Sequence, residues 1–594
     1  MAGRYAPIRD YAVIGDGRTV ALVARDGGID WLCLPNLDSP SVFAALLDAD
    51  RGGRFELCPD VPFEVQRRYV PGTNVLETTF VTESGIVRVT DAMTLPGIGL
   101  APIRELARRI EGLAGRVPMR WRVEPRFGYA SAATRFESRG AMAVALSGGD
   151  AVTICAWDAG RPTSEEGAIA GRFDIVDGGR AMLALVSAHG EPLVFPPRRD
   201  VETRLDATTA FWGDWSAQLR YAGPWHPAVV RSALALKLLV FAPSGAIAAA
   251  ATTSLPEGIG GERNWDYRYC WIRDSSFTLE ALLQLGCHAE ATSFFWWFMH
   301  ATRLTLPRLQ VFYRLDGGTY APERTLPLDG YRRSRPVRIG NGAAGQVQLD
   351  TYGELLDSAF VYARKGYSLG AGTGRDLARV ADFVCEHWRE PDAGIWEVRA
   401  APRHHTQSKA MCWVALDRAA RLADADHLPA ARAPHWRAEA AAIRHFIDTH
   451  CWSTAKDSYV GFAGDEGLDA SLLLMAIMRY DEPASPRLRG TVRAIQRELS
   501  HGPLLYRYTG DDGLAGGEGA FLCCSFWLVE ALAIAGRREE ATDLMNELVA
   551  MANDVGLYAE EIEPVSGEFL GNFPQALVHL ALVSAAVSMA PTSS

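Results

Sequence analysis

The amino-acid sequence predicts two domains: an N-terminal antiparallel β-sandwich over residues 1–222 and an all-helical ring over residues 223–594. Three observations predict this. The chain has 594 residues, too many for one hydrophobic core. Up to about residue 220, short β-rich runs alternate with glycine turns. From about residue 226, apolar residues recur at three- and four-residue steps, the period of a helix.

Each element has its own signal. "RTVALVARDGGIDWLCLP" carries two apolar runs around Asp26-Gly27-Gly28, and "NVLETTFVTESGIVRVTDAMTL" alternates apolar and polar residues on both sides of Glu83-Ser84-Gly85. "GRFDIVDGGRAMLALVSA" repeats the arrangement around Asp177-Gly178-Gly179. Such spacing reads as hairpins. Short helices are expected over "SVFAALLDAD" and "PIRELARRIEGLAG". In the second domain, helices are expected to begin near His226, Ser275, His288, Asp350, Gly374, His405, Ala431, Leu468, Pro486, Ala520, Arg537 and Pro574. Glycines stop several of them, as at Gly286 and Gly536, and Pro574 suits a first turn. Helices in this number suit a closed ring of hairpins. An open solenoid is the other arrangement, but no fixed-period repeat accompanies it.

Composition narrows the function. A net charge of −11 with no basic stripe leaves nothing to release phosphate counterions, which excludes nucleic acid as a partner. The N-terminus has no cationic lead before an apolar core, so a cytoplasmic protein is expected. "ALALKLLVFAPSGAIAAAA" is broken by Lys237 and Pro243, and "ALVHLALVSAAVSMA" falls short of the roughly 20 residues that span a bilayer, so no membrane partner is expected. The ten cysteines include no C-x-x-C pair and read as reduced, buried thiols. No H-E-x-x-H motif, phosphate loop or nucleophile elbow is present, so neither a metal nor an organic cofactor is expected. Nothing in the sequence sets the oligomeric state.

The segments between helices are the informative ones. Those containing "GERNWDYRYCWIRDSS", "EPDAGIWEVRAAPRHHTQSK" and "DVGLYAEEIEPVSGEFLGNF" are long and rich in Gly, Trp, Tyr, Arg and acidic residues. Long connections tend to be functional, and these recur before every second helix, which places them at one end of the ring. Aromatic faces beside carboxylates and guanidiniums suit a sugar: rings cover its C–H face, and charged groups bind its hydroxyls. Hydrolysing a glycoside needs two carboxyl groups, one protonated to donate to the leaving oxygen and one ionised. Glu397, between Trp396 and Val398, suits the acid. Glu560, among Glu561 and Glu563, suits the base. An ordinary surface glutamate is the competing reading for each.

"NWDYRYCWIRDSSFTLEALLQLG", "GIWEVRAAPRHHTQSKAMCWVALDRA", "GEGAFLCCSFWLVEALAIAGR" and "LYAEEIEPVSGEFLGNFPQALVHLAL" closely resemble glycoside hydrolase family 15, which holds glucoamylases, glucodextranases and prokaryotic trehalases. The opening "IRDYAVIGDGRTVALVARDGGIDWLCLPNLDSPSVFAALLD" resembles the N-terminal domain of its prokaryotic members. The resemblance implies a β-sandwich, an (α/α)6 barrel, and inverting exo-hydrolysis of an α-glucoside that releases β-glucose from the non-reducing end. It implies that Glu397 is the general acid and Glu560 the general base. It also implies that Arg273 and Asp274 hold the terminal glucose, with Tyr267 and Trp271 as aromatic wall and Trp396 beside the acid. Glu561 stands where fungal glucoamylases have a water-orienting Gln, so the base stays open among Glu560, Glu561 and Glu563.

Glucoamylase-like action is the first expectation and trehalose hydrolysis by the same pair the second. A non-catalytic sugar-binding protein is the rival of another class, but it predicts a lost acid or base, and both motifs are intact. Glu354 and Glu518 open inner helices and either touch substrate or complement a helix dipole. Arg399 and Lys409 either reach a second sugar or pair with carboxylates.

Overall fold

The structure, a computed structural model, describes residues 5–95, 103–139, 142–165, 167–508, 510 and 516–590. Antiparallel strands of the first domain are arranged about one long strand, Arg104–Val123. Its first half pairs with Gly85–Met93 and Arg180–His189, and its second half with Phe55–Pro59 and Ala168–Val176. One strand thereby serves both layers of the sandwich.

Two of the expected hairpins form. Val20–Ala24 pairs with Ile29–Cys33, and Leu76–Thr82 pairs with Gly85–Met93 in the register Leu76 opposite Asp91. The third does not. Ala168–Val176 and Arg180–His189 flank the turn at residues 177–179 yet pair with the long strand separately, Val176 opposite Arg116 and Arg180 opposite Glu111. The turn crosses from one layer to the other. Gly112 permits the crossing, because a Cβ there would lie 2.0 Å from the Val176 carbonyl oxygen.

Neither short helix in this domain exists among the described residues. Ser41–Phe43 is a strand followed by turns, and residues 104–115 belong to the long strand, with Pro102 outside the described residues. The charged residues of "RELARRIEG" read as a helix surface, but Arg108 points inward. It pairs with Asp91 at 2.8 Å, and both side chains are fully buried. A helix absent from the sequence reading, α1 (Arg198–Ser216), packs on the sandwich through Arg204, whose Nη2 donates to Glu105 at 2.6 Å.

The second domain is a ring of helices that matches the expected order. They are α2 (His226–Leu239), α3 (Ser275–Gln284), α4 (His288–Arg303), α5 (Asp350–Arg364), α6 (Gly370–His387) and α7 (Thr406–Asp424). Then come α8 (Ala433–His450), α9 (Leu474–Ile477), α10 (Pro486–Leu499), α11 (Leu522–Ile534), α12 (Arg538–Ala550) and α13 (Ala576–Ser588). Pro574 lies just ahead of α13 rather than in its first turn.

The odd-numbered helices from α3 to α13 pack on one another in sequence, and α13 returns to α3, so the ring closes as an (α/α)6 barrel. The even-numbered helices lie outside. The sequence shows why. α11 and α13 are apolar almost all round, as a helix covered on every side must be, whereas α10 carries its apolar residues on one face. Gly286 (φ 82°) and Gly536 (φ 84°) end α3 and α11 in the left-handed conformation that glycine adopts without strain.

Links from inner to outer helices are short, and links from outer to inner helices are long. Every long connection therefore enters the N-terminal end of an inner helix, on one face of the ring. The sandwich covers part of that face: the Trp31 indole donates to the Ala251 carbonyl at 3.0 Å, and Arg67 grips Asp554 with two hydrogen bonds of 2.7 and 2.8 Å. No helix among the described residues is long and apolar enough to cross a membrane.

Candidate active site

The stretch before α3 builds the floor of a cleft. Asn264–Asp266 pairs with Thr253–Pro256, and Cys270–Trp271 pairs with Phe312–Tyr313, so both ends of the segment are fixed. The Trp271 ring stacks on Phe312 with centroids 4.6 Å apart and meets Tyr267 edge-on at 4.8 Å. Asp266 supports the segment from below, holding Arg268 with both oxygens at 2.7 and 2.8 Å.

Arg273 and Asp274 occupy the turn into α3. The Arg273 Nε donates to Asp274 Oδ1 at 3.1 Å, and its Nη1 donates to the Ile395 carbonyl at 2.9 Å and to Glu397 Oε1 at 3.0 Å. Burial opposes the Arg273 charge, but Asp274 and Glu397 outweigh it and raise its pKa. Asp274 is 3 % exposed, and its Oδ2 accepts no hydrogen bond from another protein group.

Glu397 reaches the same place from the connection between α6 and α7. Its Oε1 accepts from the Trp271 indole at 2.5 Å as well as from Arg273. Its backbone has φ 59°, a left-handed conformation that costs a non-glycine residue about 1–2 kcal/mol. Gln346 holds the turn by donating to the Glu397 carbonyl at 3.0 Å. Burial raises the pKa of Glu397, while Arg273 and the Trp271 hydrogen bond pull it down. Trp396 borders the same cleft as Glu397; its indole donates to Asp469 at 2.9 Å, and its ring meets Phe521 edge-on and Trp527 at a tilt.

Glu560 and Glu561 come from the connection before α13. Glu561–Ile562 is the middle strand of a small sheet with Ala520–Phe521 and Phe569–Leu570. Alternation along the strand sends the two carboxylates to different partners. Glu560 accepts from the Asn572 amide at 3.0 Å and from Gln575 Nε2 at 3.1 Å. Glu561 accepts from the Gly519 amide at 2.8 Å and lies 3.5 Å from Arg507 Nη2. Burial and then Glu257 push Glu560 up to about 8 and Glu561 well above the carboxylate range. Glu563 is not part of the site, since it caps its own turn by accepting from the Val565 and Ser566 amides.

Two groups tie the acidic loops together. Tyr267 is raised by burial, then by Glu397, then by Glu560, so its ring feels both carboxylates. Arg273 likewise lowers the pKa of both. Of the residues singled out in the sequence, Tyr267, Trp396 and Glu397 line one cleft together with Glu257, Arg263, Trp265, Asn341, Gln346 and Arg507, and Trp271, Arg273 and Asp274 adjoin it through Glu397. Arg507 is the main residue the sequence reading missed. It bonds Glu257 at 2.8 Å and Glu518 with two nitrogens, and only its place in the Gly-rich "LLYRYTGDD" connection hinted at a role. Glu354 is fully buried against Ser276, below the cleft. Lys409 is buried and donates to the Trp388 and Glu390 carbonyls.

Comparison with known proteins identifies the family and the fold. The model of glycosyl hydrolases family 15 matches residues 223–587. The chain belongs to this family. A trehalase-like N-terminal model matches residues 1–156. The trehalase of Mycobacterium tuberculosis is 40 % identical over 614 aligned positions, covering 98 % of this chain and 89 % of that one. The trehalase of Thermoplasma volcanium is 36 % identical, covering 98 % and 93 %. A bacterial glucoamylase crystallised with acarbose shares the fold, with a TM-score of 0.74 at 12 % identity over 98 % of this chain and 94 % of that one. The family 15 protein is therefore a glycoside hydrolase, and a glycoside is its substrate. The sequence reading ranked glucoamylase-like action above trehalose hydrolysis; the curated relatives reverse that order.

Proposed function

We propose that the enzyme hydrolyses trehalose with inversion, Glu397 acting as general acid and Glu560 as general base. The observation that carries the substrate is the likeness to trehalases along nearly the whole chain, sandwich included. The roles are supported by two carboxyl groups that come from separate loops and share Tyr267 and Arg273 as neighbours.

One glucose ring lies against Trp271 and Tyr267, with its hydroxyls on Arg273 and the free oxygen of Asp274. Those hydroxyls take over Arg273, so Glu397 gives up its ion pair. Burial then favours the protonated form that can donate. Glu397 protonates the glycosidic oxygen as the bond to the anomeric carbon breaks. Glu560 takes a proton from the water that attacks the opposite face of that carbon. Burial and then the like charge of Glu257 raise the pKa of Glu560. Glu560 accepts from the Asn572 amide and from Gln575 Nε2, two donors that favour its ionised form. The two carboxyl groups stand about 6.5–9.5 Å apart in inverting enzymes, leaving room for the water.

Trehalose joins two α-anomeric carbons, and inversion at one of them yields one β-glucose and one α-glucose. Proton NMR in the first minutes of turnover, before mutarotation, should show the anomers in equal amounts. Release of α-glucose alone refutes inversion, and no glucose from trehalose refutes the substrate.

A further inference from the structure

Trp271 and Arg273 hold Glu397 Oε1, and the cleft that Glu397 borders extends beyond these two residues. Its lining there is Trp265, Asn341, Gln346, Val398 and Arg399. The guanidinium of Arg399 lies 4.2 Å from the centre of the Trp265 ring, and that of Arg338 lies 4.5 Å from it. Glu323 clasps both cations: its Oε2 is 2.6 Å from Arg399 Nη2, and its Oε1 is 3.4 Å from Arg338 Nε. The same carboxylate accepts from the Gly342 amide at 3.0 Å. Gly342 is a tight fit, since a Cβ would stand 3.3 Å from both Arg399 Nη2 and Glu323 Oε2. Arg338 Nη1 also donates to the Glu262 and Asn264 carbonyls at 2.7 and 3.1 Å.

Three connections, around residues 262–265, 323–342 and 397–399, are thus fastened together at this end of the cleft. The stack is also tied to both catalytic loops. Arg399 follows Glu397 by two residues, and the Trp265 carbonyl accepts at 2.9 Å from Asn572, whose amide holds Glu560. A charge-clasped aromatic wall of this kind is stiffer than a single side chain, because removing Glu323 leaves two like charges beside one ring.

We propose that the Arg338–Trp265–Arg399 stack, clasped by Glu323, is the end wall of the leaving-sugar subsite and restricts the enzyme to disaccharides. The inference rests on the reading of Glu397 as the acid, which places the leaving sugar on this side. A guanidinium presents paired donors to neighbouring hydroxyls, so Arg399 grips the second pyranose while the indole bounds it. A linear glucan must send a third sugar through the wall. Trehalose, linked through both anomeric carbons, has none to send.

The test compares wild type, Arg399→Ala and the gentler Glu323→Gln on trehalose, maltose, maltotriose and α-glucosyl fluoride, which has no leaving sugar. In both variants kcat/KM for trehalose should fall about tenfold more than for the fluoride, and the maltotriose-to-maltose ratio should rise about fivefold. Unchanged ratios in both variants overturn the wall. A wild type that turns over maltose but not trehalose overturns the trehalose reading instead, and the maltotriose-to-maltose ratio then decides the wall by itself.

Discussion

Gly571→Ala tests the placement of the base without touching a catalytic side chain. Gly571 has φ 70°, and a Cβ added there would stand 2.5 Å from Glu560 Oε2 and 2.6 Å from Glu560 Cβ. Ordinary contact begins near 3.4 Å, so the carboxylate or its strand must retreat by about 0.9 Å, the difference of those two distances. The left-handed backbone adds about 1–2 kcal/mol of strain. A displacement near 1 Å at a reacting group costs up to about 10²-fold in rate, or about 2.7 kcal/mol of barrier. The variant should therefore lose about 30- to 100-fold in kcat on trehalose, with KM changed less than threefold, because Gly571 does not face the sugar-holding residues Arg273 and Asp274. Melting temperature measured beside the kinetics separates the strain from the displacement. A folded variant with kcat within about threefold of wild type refutes the claim that Glu560, held at this spot, activates water.

Two further outcomes follow from the charges. Glu257 is the largest electrostatic cause of the raised pKa of Glu560. Replacing it with Gln removes a like charge, so the acid limb of the kcat/KM profile should move to lower pH by about one unit; a limb that stays or moves upward contradicts the coupling. Glu560 ionises near pH 8 in the folded protein and at an ordinary carboxylate pKa when unfolded. Between those values the unfolded chain binds fewer protons, so stability falls as pH rises. Glu560→Gln abolishes turnover and also removes this penalty. Its melting temperature should exceed that of wild type by more at pH 9 than at pH 5, and equal gaps at both pH values contradict the burial of an ionising group.

How much could be read from the sequence depended on whether a feature was local. Helix starts at His226, Ser275, His288, Asp350 and Pro486 were legible because the apolar period begins there, with Pro227 and Pro486 marking two of the first turns and Ser485 capping one. The residues of "NWDYRYCWIRD" were legible as a group because one segment carries them. The long strand Arg104–Val123 was not, because its inward Arg108 is explained only by Asp91, a residue on the neighbouring strand. Arg507 escaped notice for the same reason, since its partners Glu257 and Glu518 are brought to it by other loops. The hairpin around residues 177–179 failed because a glycine turn sets a reversal of the chain, not which strand each arm then pairs with.

The two sides of the cleft differ in how they hold charge. On one side a single cation, Arg273, is shared by Asp274 and Glu397, so whatever binds Arg273 alters the state of Glu397. On the other, Arg507 lies among Glu257, Glu518 and Glu561, with Arg263 3.5 Å from Glu518. Two cations there face three carboxyl groups, four with Glu560, and burial raises the pKa of Glu257, Glu560 and Glu561 toward their protonated forms. A buried group with unmet acceptors is costly unless a proton or a ligand satisfies it. Glu257 Oε1, Glu561 Oε1 and Asp274 Oδ2 are all buried without a hydrogen-bond partner. Sugar hydroxyls and a water are groups that can serve these three acceptors. In the proposed mechanism a sugar bound on Arg273 weakens its hold on Glu397, so substrate binding and protonation of the acid are coupled through that one cation.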